Sequence, residues 1–396
     1  MFKHIASLFA KSWSLATPGE KLLEIFGASP STSSGVAITP ETALRVPSVA
    51  CAVRTIAESV AQLPVHLYRR DEQTGAKARA TDHPAYALIH DDANEWTSAY
   101  ELKLAIMVDA LVRGNGYAFV NRVGGEPREI IRLDPGTVRV DLSMGAPRYF
   151  VRQASGEREI AREDVIHIRA LSLDGAIGKS PVNLAAEAIG IALAQEGHAG
   201  RIFGNGGRPS GVLKAPGKLS AQAADRLRQR WGDVHAGGAS GKTAVLEEGM
   251  DFVPLTFTSV DLQFLELRSF QVIEIARAFR VPPHLLFELG RATWANSEEM
   301  GRVFLTYTLM PWLKQWEGAL RRALFTREER STHFAEFLVD DFARADLESR
   351  ASAYSSLIAA RVLNPNEARA MENRAPYEGG EAFINPHTMP AAGDEE

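Results

Sequence analysis

The chain's 396 residues, 45% hydrophobic and 23% charged, can bury a sizeable core and make two or more domains. A single cysteine, Cys51, excludes an internal disulfide framework and a cysteine-rich metal site. The net charge of −5 and pI of about 6.1 argue against tight binding of duplex nucleic acid through its phosphates.

Phe2, Ile5, Leu8, Phe9 and Trp13 recur at helical spacing, with Lys3, His4 and Lys11 interrupting the apolar run. This reads as a short amphipathic helix docking on its own protein or a neighbour, not as a signal peptide, with a membrane surface the less favoured alternative. No stretch approaches roughly 18 consecutive apolar residues, so no membrane span is expected. Residues 27–40, rich in Ser, Gly and Pro, read as a flexible tether, making 1–40 an arm separate from the body.

The body opens with a helix from Pro47, on which Val49, Val53, Ile56, Ala57 and Val60 share a face; Pro64 stops it before a strand from Val65. Ser98 and Glu101 form a capping-box pattern for a helix to Val112, ended by Gly114 and Gly116. Strand-like segments follow at 117–122, 128–133, 138–142, 148–151 and 165–169, separated by Gly and Pro turns. They predict a twisted antiparallel meander with helices against it, an α+β domain over 41–180.

Long helices come next. Ser180 caps and Pro181 starts one over 181–204, and a second covers 259–280, ended by Pro282 and Pro283. Between them, 205–258 reads as a small α/β insert with strands at 211–214, 244–247 and 252–255 and a helix over 220–234, held away from the body on a helical hairpin. Ser297 caps a very long helix to about Phe325, in which Pro311 predicts a kink. A strand at 334–339 and helices at 346–360 and 364–373 precede a polar tail.

Ala236 to Thr243 fits a relaxed phosphate-loop pattern, and Phe337 to Asp341 looks like an apolar strand ending in a metal-binding acid. Together they suggest a P-loop-like nucleoside-triphosphatase. A phosphate loop, however, needs a buried strand before it and a helix starting at the Lys-Thr pair. Here a polar helix precedes Lys242 and a strand follows Thr243, so 236–243 is read as a Gly-rich connecting loop and the ATPase as the rejected alternative. His4, His66, His83, His90, His167 and His198 show no metal-ligand spacing, and no nucleophile elbow is present. No enzyme activity, metal or cofactor is expected.

An ordered set of segments resembles the portal protein family of long-tailed phages. In the first half these are Leu111–Phe119, Ile130–Pro135, Glu163–Ile168 and Asp174–Pro181. Phe203–Leu213, Gln271–Phe279, Val281–Leu286, Tyr307–Leu313 and Leu363–Arg369 continue it, collinear from about residue 45 to 385. The short length and C-terminus are similar to portals of gene transfer agents. The resemblance implies a dodecameric ring at one capsid vertex, assembled in the bacterial cytoplasm, through which DNA is packaged and ejected.

In that family's terms, 41–180 is the wing, 181–204 and 259–280 are stem helices and 205–258 is the clip. The tunnel loop is 281–297, the long kinked helix and return strand 298–340, and the crown and tail 341–396. Arg291, Ala292, Thr293, Trp294 and Asn296 would face duplex DNA without sequence specificity; Arg291 and Trp294 would either grip it or pack between neighbours, packing being favoured. The implied protein partners are the large terminase subunit, the major capsid protein and a head–tail adaptor. Residues 341–396 carry ten acids against five arginines, a net −5 that a ring would multiply, repelling DNA instead of binding it.

Overall fold

The chain turns into its body through caps that the sequence spells out. In a computed structural model, residues 32–204, 211–214, 217, 222, 224–226, 250–254, 259–289, 297–339, 347–372 and 374–383 are described. The amphipathic segment 1–15 lies outside them. Thr39 closes a capping box on α1 (Pro40–Ala43), and Pro47 sits in the first turn of α2 (Pro47–Gln62), which ends at Leu63, ahead of Pro64. Strands β1 (Val65–Arg70) and β2 (Lys77–Arg79) follow, then α3 (Tyr86–His90) and the tight hairpin β3 (Asp92–Asn94) and β4 (Thr97–Ser98). Helix α4 (Ala99–Arg113) carries the full Ser98–Glu101 capping box and stops at Gly114, whose φ of 88° is a left-handed cap that favours glycine.

The five strands expected as one meander instead divide between two sheets. β5 (Asn115–Val123) is central in one, between β6 (Glu126–Leu133) and β10 (Val165–Arg169); β7 (Val138–Asp141), β8 (Arg148–Gln153) and β9 (Gly156–Ile160) form the other. The division falls at Asp134, Pro135 and Gly136. Asp134 accepts the Gly136 N–H in a tight turn, and Pro135 has no N–H with which to extend the ladder. β10, buried from Val165 to Ile168, returns to β5 and closes the first sheet. β9 has no apolar alternation to betray it in the sequence. It is held by cross-strand pairs, Arg139 to Glu157 at 2.8 Å and Arg148 to Glu159 at 2.6 Å.

Helices α5 (Pro181–Leu184) and α6 (Ala186–Gly204) are broken at Ala185, where one continuous helix was expected. Strands β11 (Gly211–Lys214) and β12 (Asp251–Pro254) pair antiparallel, and α7 (Ser259–Phe279) follows. Most of the expected 220–234 helix, the 244–247 strand and all of 236–243 lie outside the described residues. The expected 297–325 helix is α8 (Ser297–Phe304), a π-helical turn at Leu305–Leu309, and α9 (Met310–Leu324). Strand β13 (His333–Phe337) pairs with β1 from Val65↔Phe337 to Arg69↔His333, so the end of this long excursion is stitched to the start of the body. Helices α10 (Leu347–Ala359) and α11 (Pro365–Met371) come last.

One core joins these layers. Ala118 and Val120 of β5, Ile130 of β6 and Ile166 and Ile168 of β10 are buried with α4 and α9. Trp316 of α9 is fully enclosed there, and its indole N–H points at Met107 Sδ, 3.1 Å away. The opposite face of the sheet packs Tyr117 and Val165 on Tyr149 of β8.

Residues 32–40, expected to be tether, are docked. Ile38 is fully buried, and Ser33 donates from its N–H and hydroxyl to the Glu187 carboxylate on α6. Gly190 lets this happen: a Cβ there would stand 2.6 Å from Thr32 Oγ1. Ser, Thr and Gly look flexible by composition, yet here they supply short donors and a close backbone approach.

Candidate functional site

The surfaces available for function start where α4 hands the chain to β5 and where β10 hands it to α5. Gly114 and Gly178 cross so closely that a Cβ on Gly178 would lie 2.1 Å from the Gly114 carbonyl oxygen. Asn115 locks the crossing. Its Nδ2 donates to Gly178 O at 2.9 Å, and its Oδ1 accepts from Gly178 N at 2.8 Å. With Oδ1 thus fixed as an acceptor, His167 Nε2, 3.0 Å away, must carry the proton it shares with Asn115. His167 Nδ1 then accepts from the Tyr149 hydroxyl at 3.1 Å, and Tyr117 stacks on the ring with centroids 4.4 Å apart. Burial pushes His167 down to about 3, so the network is neutral. A polar chain therefore runs from the second sheet, through the first, to the entry of the long helices. Ser180 completes it by donating to Val112 O at 2.7 Å while capping α5.

Helices α6 and α7 pack on one another, with His198 edge-on to Phe264 at 5.8 Å, and in sequence they flank the paired strands β11 and β12. The C-terminal half of α7 is embedded: Ile275, Ala276 and Phe279 are buried beside α2. The preceding stretch leaves the body, exposing Leu265, Leu267 and Phe270, and the loop before α5 exposes Leu171 and Leu173. Single exposed apolar side chains are ordinary, but several on one projecting rod call for a covering surface.

The π-helical turn lies directly ahead of Pro311. Met310 N–H bonds to Leu305 O, the wide i to i−5 pattern, and this opens room for a ring that would otherwise strike the carbonyl four residues back. Thr308 ties the turn to the end of α7 by donating to Arg280 O at 2.5 Å. Arg280 itself takes φ of 59°, a left-handed helix terminus at which Val281 N–H reaches back to Ala276 O. Arg291, Ala292, Thr293, Trp294 and Asn296 lie outside the described residues, as do Asp340 and Asp341. Among the described residues, no group of three His, Cys, Asp or Glu is placed to hold a metal, and no helix is long and apolar enough to cross a membrane.

Paired long helices that leave an α+β body with apolar side chains uncovered, with an insert between them that pairs two strands, define an assembly subunit. The chain belongs to the phage portal protein family, whose model matches residues 47–373. It is 28% identical over 402 residues to a probable portal protein of Streptomyces phage phiC31, covering 98% of this chain and 86% of the relative. It is 27% identical over 351 residues to the portal protein of Enterobacteria phage HK97, covering 88% and 83%. Among solved structures, a chain from the neck of a native gene transfer agent particle, computed with C12 symmetry, is 25% identical with a TM-score of 0.61, covering 84% of this chain and 93% of that one.

Proposed function

We propose that twelve copies of this chain close into a ring at one capsid vertex, forming the channel through which duplex DNA is packaged and later ejected. In this reading 41–180 is the wing, α5–α7 the stem, the insert around β11–β12 the clip, and 347–372 with 374–383 the described part of the crown. The loop carrying Arg291, Ala292, Thr293, Trp294 and Asn296 lines the channel, and α8, the π turn and α9 set its angle. The clip docks the large terminase subunit during packaging and the head–tail adaptor afterwards, while the wing meets the major capsid protein. The ring does no chemistry of its own.

The observation that carries this reading is the projecting part of α7, where Leu265, Leu267 and Phe270 are left about half exposed or more. Head-to-tail neighbours in a closed ring cover such a rod without leaving a free end, and the C12 symmetry with which the neck of the similar particle was computed supports twelve copies. Negative-stain images of the purified protein test it: rings with an axial hole are expected. A well-folded monomer at every concentration refutes it.

A further inference from the structure

Two surface patches of opposite charge sit at opposite edges of the β10–β5–β6 sheet. At the β10 edge, where α9 packs along the strand, Arg162, Arg169, Arg322 and Arg330 gather. Arg169 is spent on Gly175 O, and Arg330 on Phe325 O and Arg322 O. None of the four makes an ion pair among the described residues, and burial first, then the neighbouring guanidiniums, disfavour the charge on Arg322. Of the two acids that follow Arg162, Asp164 is already taken by Arg122 at 2.9 Å, and the exposed Glu163 pairs with none of the four. The patch is a cationic surface whose four guanidiniums have no carboxylate partner among the described residues.

At the β6 edge, the β3–β4 hairpin packs against β6, with Asn94 Nδ2 donating to Ile130 O at 2.9 Å. An open groove between the hairpin and β5–β6 is lined by Asp92, Glu95, Glu101 and Glu129. Its one arginine, Arg128, is paired to Glu126 at 3.1 Å. Trp96 stands at the hairpin tip with 68% of its surface exposed. An indole face beside carboxylates is a good receptor for guanidinium groups, which stack on the ring and pair with the acids.

Resting on the ring reading above, we propose that the Asp92–Glu95–Trp96 groove of each copy receives the Arg162–Arg322 patch of the next copy around the ring. A head-to-tail ring must join one side of a subunit to the other side of its neighbour, so the two surfaces must differ and match. Acid groove and arginine patch meet that requirement from opposite edges of one rigid sheet. Complementary charge of this kind fixes which neighbour orientation is accepted, more than it adds bulk affinity.

The test is charge reversal read by mass photometry across protein concentration, with thermal melting of the dissociated subunit as the folding control. Arg162→Glu with Arg322→Glu, and separately Asp92→Arg with Glu95→Arg, should each raise the concentration for half-assembly by about tenfold or more, and the four changes in one chain should recover it. Wild-type rings should also loosen as salt rises. If a reversal unfolds the subunit, Arg322→Gln and Glu95→Gln, which keep shape and remove charge, carry the same comparison. Rings that assemble normally in both reversed pairs overturn this interface and leave the ring reading standing. Weakened binding of a short DNA duplex by the arginine reversal, with assembly unchanged, also overturns it and marks the patch as a phosphate surface. A wild-type protein that never assembles overturns both.

Discussion

Asn115→Ala tests whether the crossing at Gly114 and Gly178 holds the body to its long helices. The substitution removes three hydrogen bonds at a buried position, leaving Gly178 N–H, Gly178 C=O and His167 Nε2–H without partners. Each buried group so orphaned costs about 1–3 kcal/mol, and one water filling the vacated space recovers part, which puts the loss at about 3–5 kcal/mol. Urea unfolding followed by intrinsic fluorescence, at a concentration and salt where wild type and variant are in the same assembly state, should show a lowered midpoint with an unchanged slope. Asn115→Asp keeps both acceptor functions but loses the donor to Gly178 O, and a carboxylate beside His167 should raise its proton affinity. A loss below about 0.5 kcal/mol in Asn115→Ala, the range of an inconsequential surface change, would refute the reasoning.

The same network gives the protein an acid limb. His167 is held down to about 3 in the fold against 6.5 in the open chain, so between these values the unfolded state binds the extra proton. Stability is complete above 6.5 and falls by about 1.4 kcal/mol per pH unit as pH drops toward 3; His167→Gln should flatten that part of a stability–pH curve. Lys103 is buried with its ammonium on Leu63 O at 2.7 Å, and burial lowers it to about 8 from 10.5. Lys103→Met should therefore leave stability at pH 7 within about 1 kcal/mol and abolish the rise in stability between pH 8 and 10.5, as read by thermal melts in that window. Gly190→Leu should displace the 32–38 strap. Proteolysis ahead of Ile38 should become several-fold faster while the unfolding midpoint of the body hardly moves.

Much of the local structure was legible because its causes are local. Ser98 and Glu101, Pro47 and Gly114 act within one turn of chain, so the starts and stops of α2 and α4 could be read directly. The ordered portal-like segments gave the family from sequence, because each carries its own pattern of turns and apolar positions. Pro311 announced a break, since a proline lacks an N–H in any context. Its form, a π turn anchored by Thr308 on Arg280, depended on a contact between residues 28 apart.

What the tertiary structure alone decided has the common feature of long sequence separation. Which strands pair with which cannot follow from alternation, so two sheets replaced one meander, and β9, charged throughout its exposed face, left no apolar signal to read. Ser33 finds Glu187 across 154 positions, which turned an apparent tether into a strap. The arginine patch and the acid groove are scattered in sequence from Asp92 to Arg330, and only the β10–β5–β6 order sets them at opposite edges. Composition fixes how much charge a chain has; folding fixes where that charge stands, and the Coulomb energy between patches depends on the second.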